Sequence, residues 1–136
     1  MANLITNQYL TKVQEKAYNL ESDTLKVALL TSSETPSKDD TTFSATNEVS
    51  GTGYTAGGAT LANVAVTQDD SGDLAKVDCD DVTWSTSTIT GARYAVIYDT
   101  TNTKSLICSI DFGGAQTVTA GTFTIEWNAS GIITLA

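Results

Sequence analysis

Few residues in this chain have side chains able to do chemistry. They are the cysteines Cys79 and Cys108, the carboxylates at Asp69, Asp70, Asp73, Asp78, Asp80 and Asp81, the single arginine Arg93, and the tryptophans Trp84 and Trp127. Histidine is absent from all 136 positions. That removes Ser-His-Asp and Cys-His nucleophilic sites, histidine-based metal sites and the commonest general base. The cysteines lack the C-x-x-C spacing of zinc and redox sites and read as small core residues. The two aspartate clusters offer oxygen ligands for a hard cation, but they miss the alternate acidic positions, central glycine and closing glutamate of a calcium loop. They read as solvated hairpin turns. A glycosidase pair would need a sugar-binding cleft around its carboxylates, and none is legible nearby. Neither a phosphate-binding loop nor a G-x-G-x-x-G turn entering a helix occurs. The expectation is no catalytic residues, no metal and no cofactor.

The elements that hold these residues are mostly strands. Ile5, Tyr9, Val13, Ala17 and Leu20 recur at helical spacing, which predicts one helix over residues 3–20, capped by Asn3 and ending near Ser22. From Thr24 the period becomes two. Strands are predicted at 25–30, 59–67, 74–79, 82–85, 88–99, 105–112, 122–128 and 132–136, with turns at QDDSGD, TTNTK, GGAQ and ASG. LKVALL is apolar on both faces, as expected of a strand covered by a sheet on one side and a helix on the other. Trp84 and Trp127 alternate as core residues do. Arg93 opens the most hydrophobic strand, within reach of Asp99 or Asp111. Asn128-Ala-Ser130 matches a glycosylation sequon and reads as a turn. Eight or so short strands argue for an antiparallel sandwich or barrel in one domain, residues 1–136, with the helix in 1–22 and the β body in 24–136. A polar segment, residues 31–58, interrupts the body, and connections this long are usually functional.

Seven Lys and Arg against sixteen Asp and Glu leave a net charge of −9, and only 17% of residues are charged. Such a chain repels phosphate backbones and anionic lipid, so neither nucleic acid nor membrane is expected as a partner. No apolar run approaches the roughly 20 residues of a membrane span, and the N-terminal residues lack a basic, apolar leader pattern. The protein is expected to act in the cytosol or to leave it inside a larger particle. Protein surfaces remain as partners. The helix stripe (Ile5, Tyr9, Val13) and the large apolar groups of the long segment (Phe43, Val49, Tyr54) are the candidate contacts. On this reading residues 1–20 form a separable docking element whose deletion leaves the β body folded.

The order of the helix, SDTLKVALLTSSETP, GTGYTAGGATL, DVTWS, TGARYAVIYDTTNTKSLICSIDFGG and the closing ASGIITLA resembles a group of small tailed-bacteriophage virion proteins over nearly the whole chain. GYTAGGATL (residues 53–61) and RYAVIYD (residues 93–99) carry most of it. The resemblance implies a mainly β fold, an antiparallel, jelly-roll-like β-sandwich with one N-terminal α-helix. It also implies a role as a non-enzymatic cement or decoration protein on the outer face of the head. The particle would be assembled in the host bacterial cytoplasm, with the major capsid protein as partner and a homo-oligomer, a dimer before a trimer, on a local axis. The alternative is a tail, baseplate or fibre component that binds a receptor or carbohydrate. An exposed Tyr/Trp cluster at one end would favour that alternative. An uncovered patch of Ile5, Tyr9 and Val13 would favour the cement reading.

Overall fold

The computed structural model describes residues 2–135. In chain order they form β1 (Ala2–Ile5), α1 (Asn7–Gln14), β2 (Leu25–Thr31), β3 (Ala59–Thr60), β4 (Ala65–Asp69), β5 (Leu74–Asp78), β6 (Val82–Asp99), β7 (Ser105–Ile125) and β8 (Ile133–Leu135). A five-stranded sheet has the order β1-β7-β6-β2-β3 and a three-stranded sheet the order β4-β5-β8, with every pair antiparallel. The fold is therefore mainly β, an antiparallel sandwich with one short N-terminal helix. Val77 and Ile133 of the small sheet enter one cluster with Leu25, Val27, Leu29, Ile97 and Ile107 of the large one.

Alternation along β2 and β6 sorts side chains between two cores. Leu25, Val27 and Leu29, with Ala95 and Ile97, face the small sheet. Ala28, Leu30, Val96 and Tyr98 face the other way. The doubly apolar strand is thus covered on both sides, as its sequence requires. Its second cover is Phe43 of the 31–58 segment, where a helix was expected. Tyr9 of the helix, and Tyr18 beyond its end, belong to the first core.

The helix is shorter than the stripe predicts. Thr6, not Asn3, is the N-cap, and its Oγ1 accepts Tyr9 N–H at 3.2 Å. Thr6 N–H also donates to Ile107 O at 3.0 Å, so the residues before it extend along β7 as β1. The far end closes one turn after Lys12. Lys16 takes the left-handed conformation (φ 61°), Ala17 N–H reaches Lys12 O at 2.9 Å and Lys16 N–H reaches Val13 O at 3.2 Å. That is a Schellman turn built on a lysine. Tyr18 and Leu20 lie beyond it and are buried. Residues 2–20 are therefore no detachable arm: they supply an edge strand and four buried side chains, Thr6, Tyr9, Tyr18 and Leu20.

The strands predicted at 82–85 and 88–99 are one strand, β6, and those at 105–112 and 122–128 merge into β7, which ends at Ile125, short of the predicted bound. The GGAQ segment is no turn. Both flanks keep pairing with β6, at Tyr94↔Asp111 and Ala92↔Gln116, and the intervening residues bulge out of the ladder. Gly113, at φ 84°, supplies the left-handed residue this needs. A turn sequence can serve a bulge because both require a residue free of Cβ strain.

The long segment is held down from within. Gly58 lies against β2 with φ 84°, and a Cβ there would sit 1.9 Å from Val27 O. Gly58→Ala should therefore cost at least about 3 kcal/mol, combining left-handed strain with a backbone overlap. Gly113→Ala, at the same φ but facing open space, should cost only about 1 kcal/mol. Urea unfolding of the two variants checks the difference.

Candidate binding surface

Five of the six candidate contact residues, Ile5, Tyr9, Val13, Val49 and Tyr54, pack into or against the main core, and only Phe43 lies on the opposite face of the large sheet. Tyr9 is 2% exposed and stacks on Tyr18, with ring centroids 5.8 Å apart. Burial first, then the neighbouring Cys108 and Tyr18, pushes its phenol up to about 12. Ile5 and Val13 are half-buried against the same core. Val49 is buried in the same core and donates its N–H to Leu29 O at 3.0 Å. On the other face, Phe43 stacks flat on Tyr98 at 4.3 Å. The uncovered patch of Ile5, Tyr9 and Val13 does not form, because the sheet fills it. Among the described residues the exposed large apolar side chains are Leu10 and Val66.

Tyr54 is a structural pin. Its hydroxyl accepts Leu29 N–H at 3.0 Å and donates to Glu48 Oε1 at 2.7 Å. The same Glu48 oxygen accepts Gly57 N–H at 2.7 Å, and Tyr98 Oη donates to Gly57 O. Burial, more than the adjacent Glu48, drives the Tyr54 phenol far above its ordinary range. The network spends its polar groups on fastening residues 48–58 to β2 and β6.

The other reactive groups are likewise engaged. Arg93 grips Asp111 through two bonds, Nε–Oδ1 at 2.6 Å and Nη2–Oδ2 at 3.0 Å. Arg93, and then Gly113 N–H, hold Asp111 below the usual carboxylate range. Asp111, and not Asp99, is thus the arginine's partner. The pair is solvent-screened and contributes little to stability, but it marks the point where β7 bulges. Asp69 closes its own turn through Ser71 Oγ and Gly72 N–H, Asp80 accepts Asn63 Nδ2 and Asp81 accepts Trp127 N–H. Among the described residues no three His, Cys, Asp or Glu side chains are grouped to hold a metal ion. Cys79 and Cys108 are free thiols, half-buried and buried, and burial pushes both up to about 12. Trp84 is buried between Tyr54 and Phe123, while Trp127 is half-buried with Nε1 on Asp80 O at 2.9 Å.

What remains on the surface is mainly hydroxyl and strand edge. A cavity of about 120 Å³ lies between the outer face of the large sheet and the long segment, lined by Leu30, Pro36, Phe43, Val96 and Leu106 among others. Beyond the Gly113 bulge, β6 and β7 continue as a ribbon with exposed Thr83, Thr90, Thr117, Thr119, Thr122 and Thr124. Sequence reasoning missed this ribbon because it placed a turn at GGAQ. The signal available was charge: residues 112–125 contain no Lys, Arg, Asp or Glu. Comparison with known protein families, curated proteins and solved structures finds no match.

Two consequences follow for stability. Tyr54→Phe strips a buried backbone N–H and a carboxylate of their partner, and should cost roughly 1–3 kcal/mol in chemical denaturation. Asp99 is fully buried at the β6–β7 turn, accepting Thr101 and Asn102 N–H, with Asn102 Nδ2 bridging it to Asp23. Burial first, and then Asp23, raises its carboxyl to about 6. The folded state therefore holds this proton more tightly than the unfolded chain, whose carboxyl titrates near ~3.9. The stabilising contribution is complete below that value and is lost as pH rises through about 6. Asp99→Asn keeps an acceptor for both N–H groups. It should raise stability at neutral pH by on the order of 1–3 kcal/mol and flatten the decline, as read from melts across that window.

Proposed function

We propose that this chain is a non-enzymatic structural subunit of a tailed-bacteriophage particle, a cement or decoration protein that binds the major capsid protein on the outer face of the head. One observation carries the reading. The two segments that most resemble phage virion proteins, residues 53–61 and 93–99, pack on each other. Tyr98 donates to Gly57 O, Gly58 seats on β2, and Tyr54 pins the same stretch at Leu29. The resembling phrases are therefore the parts that fasten the long segment to the sheet. Both phrases thus have a structural role in this fold.

The physics suits a particle surface. Among the described residues no buried side-chain N or O lacks a partner, which suits a rigid body. A protein that binds only the mature lattice stabilises that state by mass action. Many repeated contacts add, so each copy can bind modestly. A receptor-binding tail or baseplate role would draw on exposed aromatic rings. Neither Leu10 nor Val66, the exposed large apolar side chains among the described residues, is one; the Ile5, Tyr9 and Val13 patch that would favour the cement role is filled as well, so the resemblance decides between the two.

Cryo-electron microscopy of purified particles tests the reading. The expected result is density for this chain on the outside of the head, bridging capsomers at regular lattice positions. Density confined to the tail or its tip would overturn it.

A further inference from the structure

A sandwich has sheet edges, and an edge left bare invites another strand, so proteins cover, charge or bend their edges. Several edges here are treated in that way. Glu21 Oε1 accepts Val66 N–H at 2.9 Å and plugs β4. The edge of β6 turned away from β7 runs beneath the glycine loop: Thr88 N–H donates to Thr52 O at 2.8 Å, and a Cβ on Gly51 would lie 1.9 Å from Thr88 O. The outer edge of β7 is occupied by β1 between Cys108 and Asp111. Past that point the same edge has no pairing strand among the described residues. It also carries no charge and no proline from Phe112 to Ile125.

Within that bare edge the sequence T-V-T-A-G-T-F-T (residues 117–124) reads alike in both directions by residue class. We propose that two copies of the chain pair here, antiparallel, about a two-fold axis between Ala120 and Gly121. Thr117 then faces Thr124, Thr119 faces Thr122, Val118 faces Phe123, and the smallest residues meet at the axis. The four threonines are exposed, and opposed threonines form favourable cross-strand pairs. Val118 and Phe123 are half-buried against the core, so pairing extends an apolar surface already begun. Ala120 is left-handed at φ 46°, a bulge that shifts the alternation by one residue, so Thr117 and Thr119 share the exposed face with Thr122 and Thr124.

The two-way symmetry of residues 117–124 selects a second copy as the occupant. Each chain carries −9, so two copies repel over most of their surfaces, and this edge lets their backbones meet without opposing carboxylates. Eight paired residues bury less than the standard interface of about 1,600 Å², so the dimer is concentration-dependent in free solution. The pairing is a property of the isolated chain and stands apart from the virion reading.

Sedimentation of the full chain over a wide concentration series tests it. The mass should rise from one chain towards two, and amide-exchange protection of residues 117–124 should rise with it. Thr119→Lys with Thr122→Lys places ammonium groups opposite each other twice and should hold the chain monomeric, with an unchanged circular dichroism spectrum. Thr119→Glu with Thr122→Glu should do the same, and an equimolar mixture of the two variants should restore the dimer. A wild-type chain that stays monomeric throughout would overturn the proposal. So would a lysine variant that dimerises as the wild type does, or a dimer whose added protection lies outside β7.

Discussion

The antiparallel ladder between β6 and β7 is the constraint on which the rest of the molecule depends. It runs from Asp99↔Ser105 at the turn to Val82↔Ile125 at the far end. Every strand of the large sheet is added to this pair: β2 and then β3 beside β6, and β1 beside β7. The small sheet is reached by continuing the same two strands past the ladder, since β5 precedes β6, β8 follows β7, and those two pair at Val77↔Ile133. One folded ribbon thus supplies both layers, and the hydrophobic residues between them close the sandwich. The turn that starts the ladder is correspondingly well tied. Asp99 caps it through two backbone N–H groups, at the cost of a buried carboxyl that prefers its proton.

A ribbon folded on itself leaves one face of the large sheet uncovered, and the 31–58 segment covers it. Without regular secondary structure, such a segment must satisfy its backbone groups individually. It does so by borrowing from the sheet. Thr31 N–H takes Asn47 O and Val49 N–H takes Leu29 O, while Glu48 and Tyr54 bridge across to Gly57 and β2. Glycine is required where the segment meets strand backbone at van der Waals distance, as Gly58 does at Val27. The aromatic stack of Phe43 on Tyr98 then seals the second core. The length of this segment, which first suggests a reaching loop, is the length needed to cross a sheet and return.

Electrostatics and edges govern what the finished surface can meet. Of the aspartates that look like a metal site, Asp69 closes its own turn, while Asp80 and Asp81 tie down Asn63 and Trp127 from other segments. The bidentate ion pair of Arg93 with Asp111 sits where β7 leaves the region paired with β1. Beyond it lies an uncharged, hydroxyl-rich ribbon, unlike the remainder of an acidic chain. Partner choice on such a surface is carried by backbone pairing and shape more than by charge.

The sequence alone determined the fold class, the strand-rich body, the burial of Trp84 and Cys108, and the inward and outward faces of β2. All of these follow from side-chain periodicity, which depends only on neighbours along the chain. It also indicated Asp111 as one of two partners for Arg93. The length of α1, the fusion of predicted strands into β6 and β7, and the fate of Tyr9, Phe43, Val49 and Tyr54 depended on residues far away in sequence. Thr6 stops the helix because Ile107 lies beside it, and GGAQ bulges because β6 keeps its hold on either side. Amphipathic side chains can face a partner or the chain's own core with the same local pattern. Only the tertiary structure decided between them, because burial is a property of what lies opposite and not of the residue itself.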